Sequence, residues 1–378
     1  MVTGDEALYE SVVFLDYFSD LPDPRQLIKV IYPLDEVLLL SLLAVLAGSE
    51  TFTDIARFGE NKLDLLRRFR PFHNKTPTHD RLGEIFAALD AERFQQCFVA
   101  WVAASTGISA EVIAIDGKTS RRSFQKKGED SPIHIVSAFA TRQRLVLGQV
   151  KVAEKSNEII AIPKLLDMLV IEGAIVTIDA MGCQRDIARK VIDKRADYVF
   201  ALKGNQGTLR DDVELFVTEQ KANDFKDTII SQHQSVDGDH GRIETRRTTV
   251  IHDVQWLCDR HKWPGLNGVV MVESMRESGP KIETETRFYI TSSTDFADYL
   301  ANVIRQHWAI ENSLHWVMDM VFRDDECRIS TGHAPANFTT VKHVAHNLMR
   351  QSPAKDSMRL KRKVAAWNDD FLLSLIAQ

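Results

Sequence analysis

The sequence predicts an α/β protein: a mixed sheet with flanking helices and a β-rich insertion, preceded by an all-helical N-terminal domain. Three observations predict it. Apolar residues recur at helical spacing through residues 1–108. From Glu111 onward, short β-branched runs alternate with amphipathic helical stretches, the order expected of parallel strands joined through helices and covered on both faces. Between about 205 and 290 the pattern turns to strands and loops, and a long helical stretch resumes at Ala297. The expected divisions are therefore 1–108, an α/β unit over 109–350 with its insertion at about 205–290, and a basic helical tail over 351–378.

Taken in order, "SDLPDPRQ" is a proline-punctuated entry loop, and "VLLLSLLAVLAG" lies in a buried helix from Leu34 to about Ala47 that Gly48 ends. Ile55, Phe58, Leu63 and Leu66 follow near helical spacing, Thr78 is placed to cap the next helix, and "AERFQQCFVAWVAAS" is amphipathic. Strands are expected at 111–116, 133–140 and 144–152, with "TRQ" as a tight hairpin connection. Ser156 and Glu158 signal a helix start, followed by a strand at 174–180, a helix from Cys183 and a strand at 197–204. "RIETRRTTVIHDV", "GVVMVESMR" and "ETRFYITSS" carry the β pattern of the insertion, and "ADYLANVIRQHWAIENSLHWVMDMVF" reads as one long helix.

Charge and cysteines narrow the function classes. Forty-seven Lys and Arg against 53 Asp and Glu leave a net charge of −6, so no global basicity announces a nucleic-acid partner. Local basic clusters do occur: Arg67-Arg68-Phe69-Arg70, Lys118 with Arg121-Arg122 and Lys126-Lys127, and the run from Arg350 through Lys355 and Arg359 to Lys363. Cys97, Cys183, Cys258 and Cys327 form no C-x-x-C pair, which argues against a thiolate zinc site and fits a reducing, cytoplasmic setting. The N-terminus lacks a basic-then-apolar signal pattern, and the longest apolar run is too short to span a bilayer, so no membrane association is expected.

The chemistry concentrates around "VIAIDGKTSRR" at 112–122. Gly117-Lys118-Thr119 resembles the tail of a phosphate-binding loop, but that loop needs a second glycine where Val112 stands, inside a β-branched run. Asp116 remains, an aspartate after four apolar strand residues, and "TIDAMG" repeats the arrangement at Asp179. A carboxylate so placed needs donors, a cation or a metal to offset its desolvation. The bland reading of either is a cap on the next turn; two in one α/β unit point to a ligand site at the strand ends. Glu311 lies among Trp308, Ile310, Leu314 and His315 in the long helix, where an unpaired acid is unusual. His307, Glu311 and His315 recur every fourth residue, but H-E-x-x-H is absent, so zinc is disfavoured. Trp308 and Trp316 read as core packing, and Asp319 with "RDDE" at 323–326 as a solvated face or loop. Asp116, Asp179 and Glu311 are hard oxygen ligands of the kind Mg²⁺ accepts; two such ions serve in-line phosphoryl displacement, with Mn²⁺ as a substitute. Lys118, Arg121 and Arg122 would neutralise a nucleic-acid backbone beside them.

These stretches together resemble the bacterial insertion-sequence transposases with a DDE triad, in their H-repeat-associated branch. The resemblance runs through "LPDPRQ", "GSETFTDIARFGE", "PTHDRLGEIF", "VIAIDGKTSRRSF", "EKSNEIIAIPKLLDML", "TIDAMGCQRDIA", "DYVFALKGNQGTL", "HGRIETR" and "IRQHWAIENSLHWVMDMVFRDDECRI". It implies a ribonuclease H-like fold with the triad on Asp116, Asp179 and Glu311 and a β-rich insertion before the Glu-bearing helix. It also implies metal-dependent cleavage at element ends and transfer of the exposed 3′-hydroxyls into target DNA. The implied partner is double-stranded DNA, element ends and target alike, with a homodimer acting on it. Lys203 and Asn205 in "KGNQ", together with Arg305 and His307, are further candidates for DNA contact. The broader superfamily's Tyr-x2-Arg-x3-Glu-x6-Lys signature is absent, since Ile304, His307 and Met318 hold those positions. A Mg²⁺ nuclease of the same fold and a DNA-binding relic without turnover are the competing readings.

Overall fold

A computed structural model of the chain describes residues 10, 12–106, 111–120, 132–152, 158–226, 228–239 and 242–377. Six helices open it: α1 (Val13–Phe18), α2 (Leu34–Leu46), α3 (Phe52–Asn61), α4 (Leu63–Leu66), α5 (His79–Ala88) and α6 (Ala91–Thr106). Helix α2 is buried all round from Val37 to Leu46, as its unbroken apolar run requires. A reciprocal Thr51–Asp54 capping box starts α3, and the Thr78 hydroxyl accepts from the Arg81 N–H to start α5.

Nine strands form one sheet in the order β3-β2-β1-β4-β5-β9-β8-β7-β6. Strands β1 (Val112–Thr119), β2 (His134–Ala140) and β3 (Leu145–Val152) are antiparallel; β4 (Ile175–Ile178) and β5 (Asp197–Leu202) add parallel to β1. Helix α7 (Glu158–Met168) precedes β4 and α8 (Arg185–Asp193) precedes β5, giving the ribonuclease H-like order. Ser156, Arg121, Arg122, Lys126, Lys127 and His240 lie outside the described residues.

The insertion differs in form from a purely β-rich one. It opens with α9 (Gly207–Ala222) and includes α10 (Gln255–His261) between β7 (Arg242–Ile251) and β8 (Gly268–Ser278). With β6 (Ile230–Asp239) and β9 (Lys281–Thr291), these strands continue the same sheet, because β9 pairs antiparallel with β5. The halves of β7, β8 and β9 nearest the body are buried, and their far halves are largely solvent-facing.

Helices cover both faces of the inner sheet, as its continuous apolar strands demand. Val112, Ile175 and Val199, one from each parallel strand, pack with Leu300, Val303 and Ile304 of α11 (Ala297–His307). The expected single helix from Ala297 is interrupted here: α11 stops at His307, a five-residue π-helical turn covers Glu311–His315, and α12 (Trp316–Met320) resumes. Helix α13 (Ala334–Gln351) reaches the sheet through Gln149, while a side chain at neighbouring Gly148 would meet Leu165 of α7, so the two helices lie on opposite faces. The Asn347 side-chain amide pairs with both Val146 N–H and Val146 O, closing the backbone of the edge strand β3.

The acidic and basic runs near the C-terminus are partly interior, contrary to the solvated reading. Asp324 is buried against Lys342 at 2.7 Å and takes a hydrogen bond from Ser120. Burial opposes its charge, but Lys342, Lys118 and these hydrogen bonds outweigh it and hold the Asp324 carboxyl down at about 2. Helices α14 (Met358–Trp367) and α15 (Asp369–Ile376) complete the chain. Arg362 of α14 is buried, donating to Val45 O, Ser49 O and Val321 O with its guanidinium over Phe322, and Lys361 donates to Met349 O and Ser352 O. Replacing Lys342 by Met strands the Asp324 charge, so urea unfolding should show a loss of about 3–5 kcal/mol. The Lys342→Met/Asp324→Asn double variant should recover part of it; an undiminished loss there would show that packing, not charge, carries the effect.

Candidate active site

Register decides where the first two carboxylates meet. The parallel pairing of β1 with β4 ends at Ile115↔Ile178, so Asp116 and Asp179 are the next residues on adjacent strands. Side chains alternate along a strand, which puts both aspartates on the face that Val112 and Ile175 share, the face covered by α11. Asp116 is not the end of its strand: β1 runs on to Thr119 because β2 continues to pair with it after β4 has ended. Asp179 does leave its strand. Its Oδ1 accepts from Met181 N at 3.0 Å and Gly182 N at 3.3 Å, which fixes the turn. Asn205 donates to Ala180 O and braces that turn from the next loop.

Glu311 starts the π-helical turn and is solvent-exposed, yet it lines the same cavity of about 390 Å³ as Asp116 and Asp179. Lys203, Arg210, Arg287, Tyr289, His307 and Trp308 are among its other lining residues. Burial, with the neighbouring Asp179, Glu311 and Glu158 charges, pushes Asp116 from 3.8 up to about 7 against an opposing Gly117 hydrogen bond. Burial and Asp179 also raise Glu311. Among the described residues no three His, Cys, Asp or Glu side chains are arranged to hold a metal ion. The donor chemistry nevertheless fits a divalent cation: three oxygen acids face one cavity, and their mutual repulsion is what a cation between them would relieve.

Two histidines flank the acids. The His307 ring pairs with the Thr177 hydroxyl at 2.9 Å, and burial lowers its pKa despite the nearby Asp179. His315 Nδ1 lies 3.6 Å from Asp116 Oδ2, and burial with the Lys118, His134 and His307 charges brings its pKa down to about 3. Across the sheet, His134 and Glu158 form a buried pair at 2.6 Å against the β1 backbone. A Cβ at Gly117 would strike both, so this position needs its missing side chain.

The basic candidates separate. Lys203 is exposed at the cavity and His307 lines it. Lys118 is instead held within the protein by Asp319 at 2.5 Å and Asp325 at 3.3 Å, with 14% of its side chain exposed, because β1 extends past Asp116 and carries it under α12. Arg305 pairs with Asp237 of β6. In the first basic cluster Arg68 pairs with Glu10 and Arg70 with Asp35. Trp308 is 44% exposed with Arg287 over its ring, and Trp316 is exposed as well, so neither belongs to the core; α11 ends just before Trp308 and turns it off the apolar stripe. Arg210 and Arg287 escaped the sequence reading, and His315 entered it only as part of a disfavoured zinc stripe. Arg210 and Arg287 sit in unremarkable stretches, and only tertiary pairing of β9 with β5 brings Arg287 to the cavity.

Comparison with known proteins now settles the family. The transposase DDE domain pattern matches residues 108–348, and its associated N-terminal pattern matches 15–102. The chain belongs to the DDE transposase family. YhhI of Escherichia coli K12, named as H repeat-associated, is 39% identical over 371 residues, which is 96% of this chain and 97% of its own. YbfL of the same strain is similar to the same extent. YbfQ, named an inactive transposase, is 39% identical over 71 residues, or 19% of this chain and 84% of its own. A piggyBac transposase solved in a synaptic complex with hairpin DNA covers 97% of this chain and 77% of its own at a TM-score of 0.39 and 7% identity, too distant to add to the assignment. No helix among the described residues of the transposase is long and apolar enough to cross a membrane.

The strained Asp116 makes a pH signature. Its folded-state pKa is raised, so its contribution to stability is complete below pH 3.8 and is lost as pH rises through about 7. Without divalent metal, the melting temperature of the transposase should fall between those limits, by the equivalent of a few kcal/mol at roughly 1.4 kcal/mol per pKa unit. Asp116→Asn should flatten that slope; an unchanged slope would remove the basis for treating Asp116 as strained.

Proposed function

We propose that this transposase cuts DNA at the ends of an insertion sequence and joins the exposed 3′-hydroxyls to target DNA, with Asp116, Asp179 and Glu311 as its catalytic acids. The observation that carries the reading is that these three acids, from β1, β4 and the π-helical turn, line one cavity and raise Asp116 through burial and like charge. Such a site attracts divalent cations, with two Mg²⁺ ions as the expected occupants and Mn²⁺ as a substitute. When bound there they would supply activation of the attacking oxygen and stabilisation of the leaving one.

The chain's own part is to hold and orient. In the first step water attacks the phosphodiester, the bond to the 3′-oxygen breaks, and a 3′-hydroxyl and a 5′-phosphate result. In the second, that hydroxyl attacks a target phosphodiester, one phosphorus–oxygen bond replacing another. Lys203, Arg210 and Arg287 are the cations placed at the cavity to meet phosphates, and His307 lies beside them. Lys118 and Arg305 have protein carboxylates as partners, as do Arg210 with Glu214 and Arg287 with Glu285, so a direct DNA role would require each of these four to exchange its partner, and Lys118 and Arg305 lie outside the cavity lining as well. Double-stranded ends and target would be engaged by a homodimer.

Ala at Asp116, Asp179 or Glu311 should lower Mg²⁺-dependent cleavage of the element's own termini by more than about 10²-fold, the scale for losing one electrostatic group. Filter binding at moderate salt should remain, and should weaken as salt rises. Near-normal cutting by each single variant would remove the assignment. Cleavage without joining of labelled ends would instead identify a nuclease of this fold.

A further inference from the structure

On the Asp116 face of the sheet there is a second, much smaller cavity of about 10 Å³, whose lining includes Lys118, Ser137, His315, Asp324 and His343. Ser137 is the residue of β2 directly opposite Asp116, which places this space behind the carboxylate. Two buried ring nitrogens of lining residues have no hydrogen-bond partner in the protein, His315 Nε2 and His343 Nδ1. A buried polar atom left unpaired costs about 1–3 kcal/mol. At about 10 Å³ the space is just large enough for one water, and although its wall is mostly apolar, the two ring nitrogens give that water two polar partners.

We propose that this cavity binds a single structural water that links His315 to His343, and that the linkage makes His315 a positioning residue for Asp116. His315 Nδ1 is the nitrogen facing Asp116 Oδ2, at 3.6 Å. When Asp116 is ionised, as it is at pH well above 7, a lone pair aimed at it is repelled, so the ring proton belongs on Nδ1, and Nε2 is left as a bare acceptor. A water donating to Nε2 holds that tautomer and that ring orientation. The same water reaches His343, a residue of α13 that is 3% exposed and therefore fixed by packing. The water ties the buried His315 ring to a rigid helix behind it. Partners of this kind orient groups at metal-binding carboxylates in general.

The functional half of the proposal rests on Asp116 being a catalytic acid, so two of its tests do not involve turnover. In the full chain with ¹⁵N-labelled histidine, the His315 resonances should report the Nδ1–H tautomer, and His343→Leu should disturb them. A high-resolution crystal structure should show one density peak between the two rings. The Nε2–H tautomer, or a dry cavity, would overturn the proposal even in an active enzyme. In the cleavage assay His315→Leu should lower kcat about 10–100-fold with little change in KM for DNA. His315→Asn, whose amide N–H can stand where Nδ1–H stood, should recover most of the loss. Equal impairment of two folded variants, or wild-type rates in His315→Leu, would refute the positioning role. A wild-type chain that cleaves nothing would count against the proposed function and leave the tautomer and water results to decide the site.

Discussion

The structure turns on one backbone register: β4 pairs in parallel with β1 and stops at Ile115↔Ile178. That stop places two aspartates side by side where neighbouring backbone no longer fills the space, on the face that α11 covers only as far as His307. A slip of one residue would turn either side chain to the opposite face, where α7 lies. The shared apolar packing of Val112, Ile175 and Val199 against Leu300, Val303 and Ile304 makes such a slip costly, so the core enforces the geometry of the site.

Much of the inner sheet was legible because its strands are short, apolar and flanked by clear turn residues. Their predicted ends fall within a few residues of those observed, the largest discrepancy being β1, predicted to end at Asp116 and observed to continue to Thr119. That difference has a tertiary cause: β2 goes on pairing after β4 has ended, and no local signal in Gly117-Lys118-Thr119 announces it. The insertion was harder to read. The outer halves of its strands are largely solvent-facing, and β6 lacks the apolar alternation that marks a half-buried strand, so β6 gave no signal and α9 was passed over.

The charged residues mislead in a consistent way. Lys118, Asp324 and Arg362 sit in charged runs of the sequence, yet each has its partners inside the protein. Partners more than a dozen residues away leave no trace in local spacing. The Glu-bearing segment shows the converse: its apolar periodicity was legible, but the widened turn at Glu311–His315 was not. That turn is what gives Glu311 to the cavity while Leu314 stays buried in the core.

Arg362 carries a consequence for how the molecule is made. Its guanidinium joins Val45 O and Ser49 O, near the start of the chain, to Val321 O just after the Glu311 segment. A ribosome delivers the partners long before the clasp: the helix that holds Val45 emerges more than three hundred residues ahead of Arg362. The acids of the cavity are all synthesised before residue 362, but the tie between the N-terminal helices and the segment after Glu311 closes only once that residue has emerged. A chain stopped short of residue 362 would thus carry every acid of the cavity and lack the tie between these two segments.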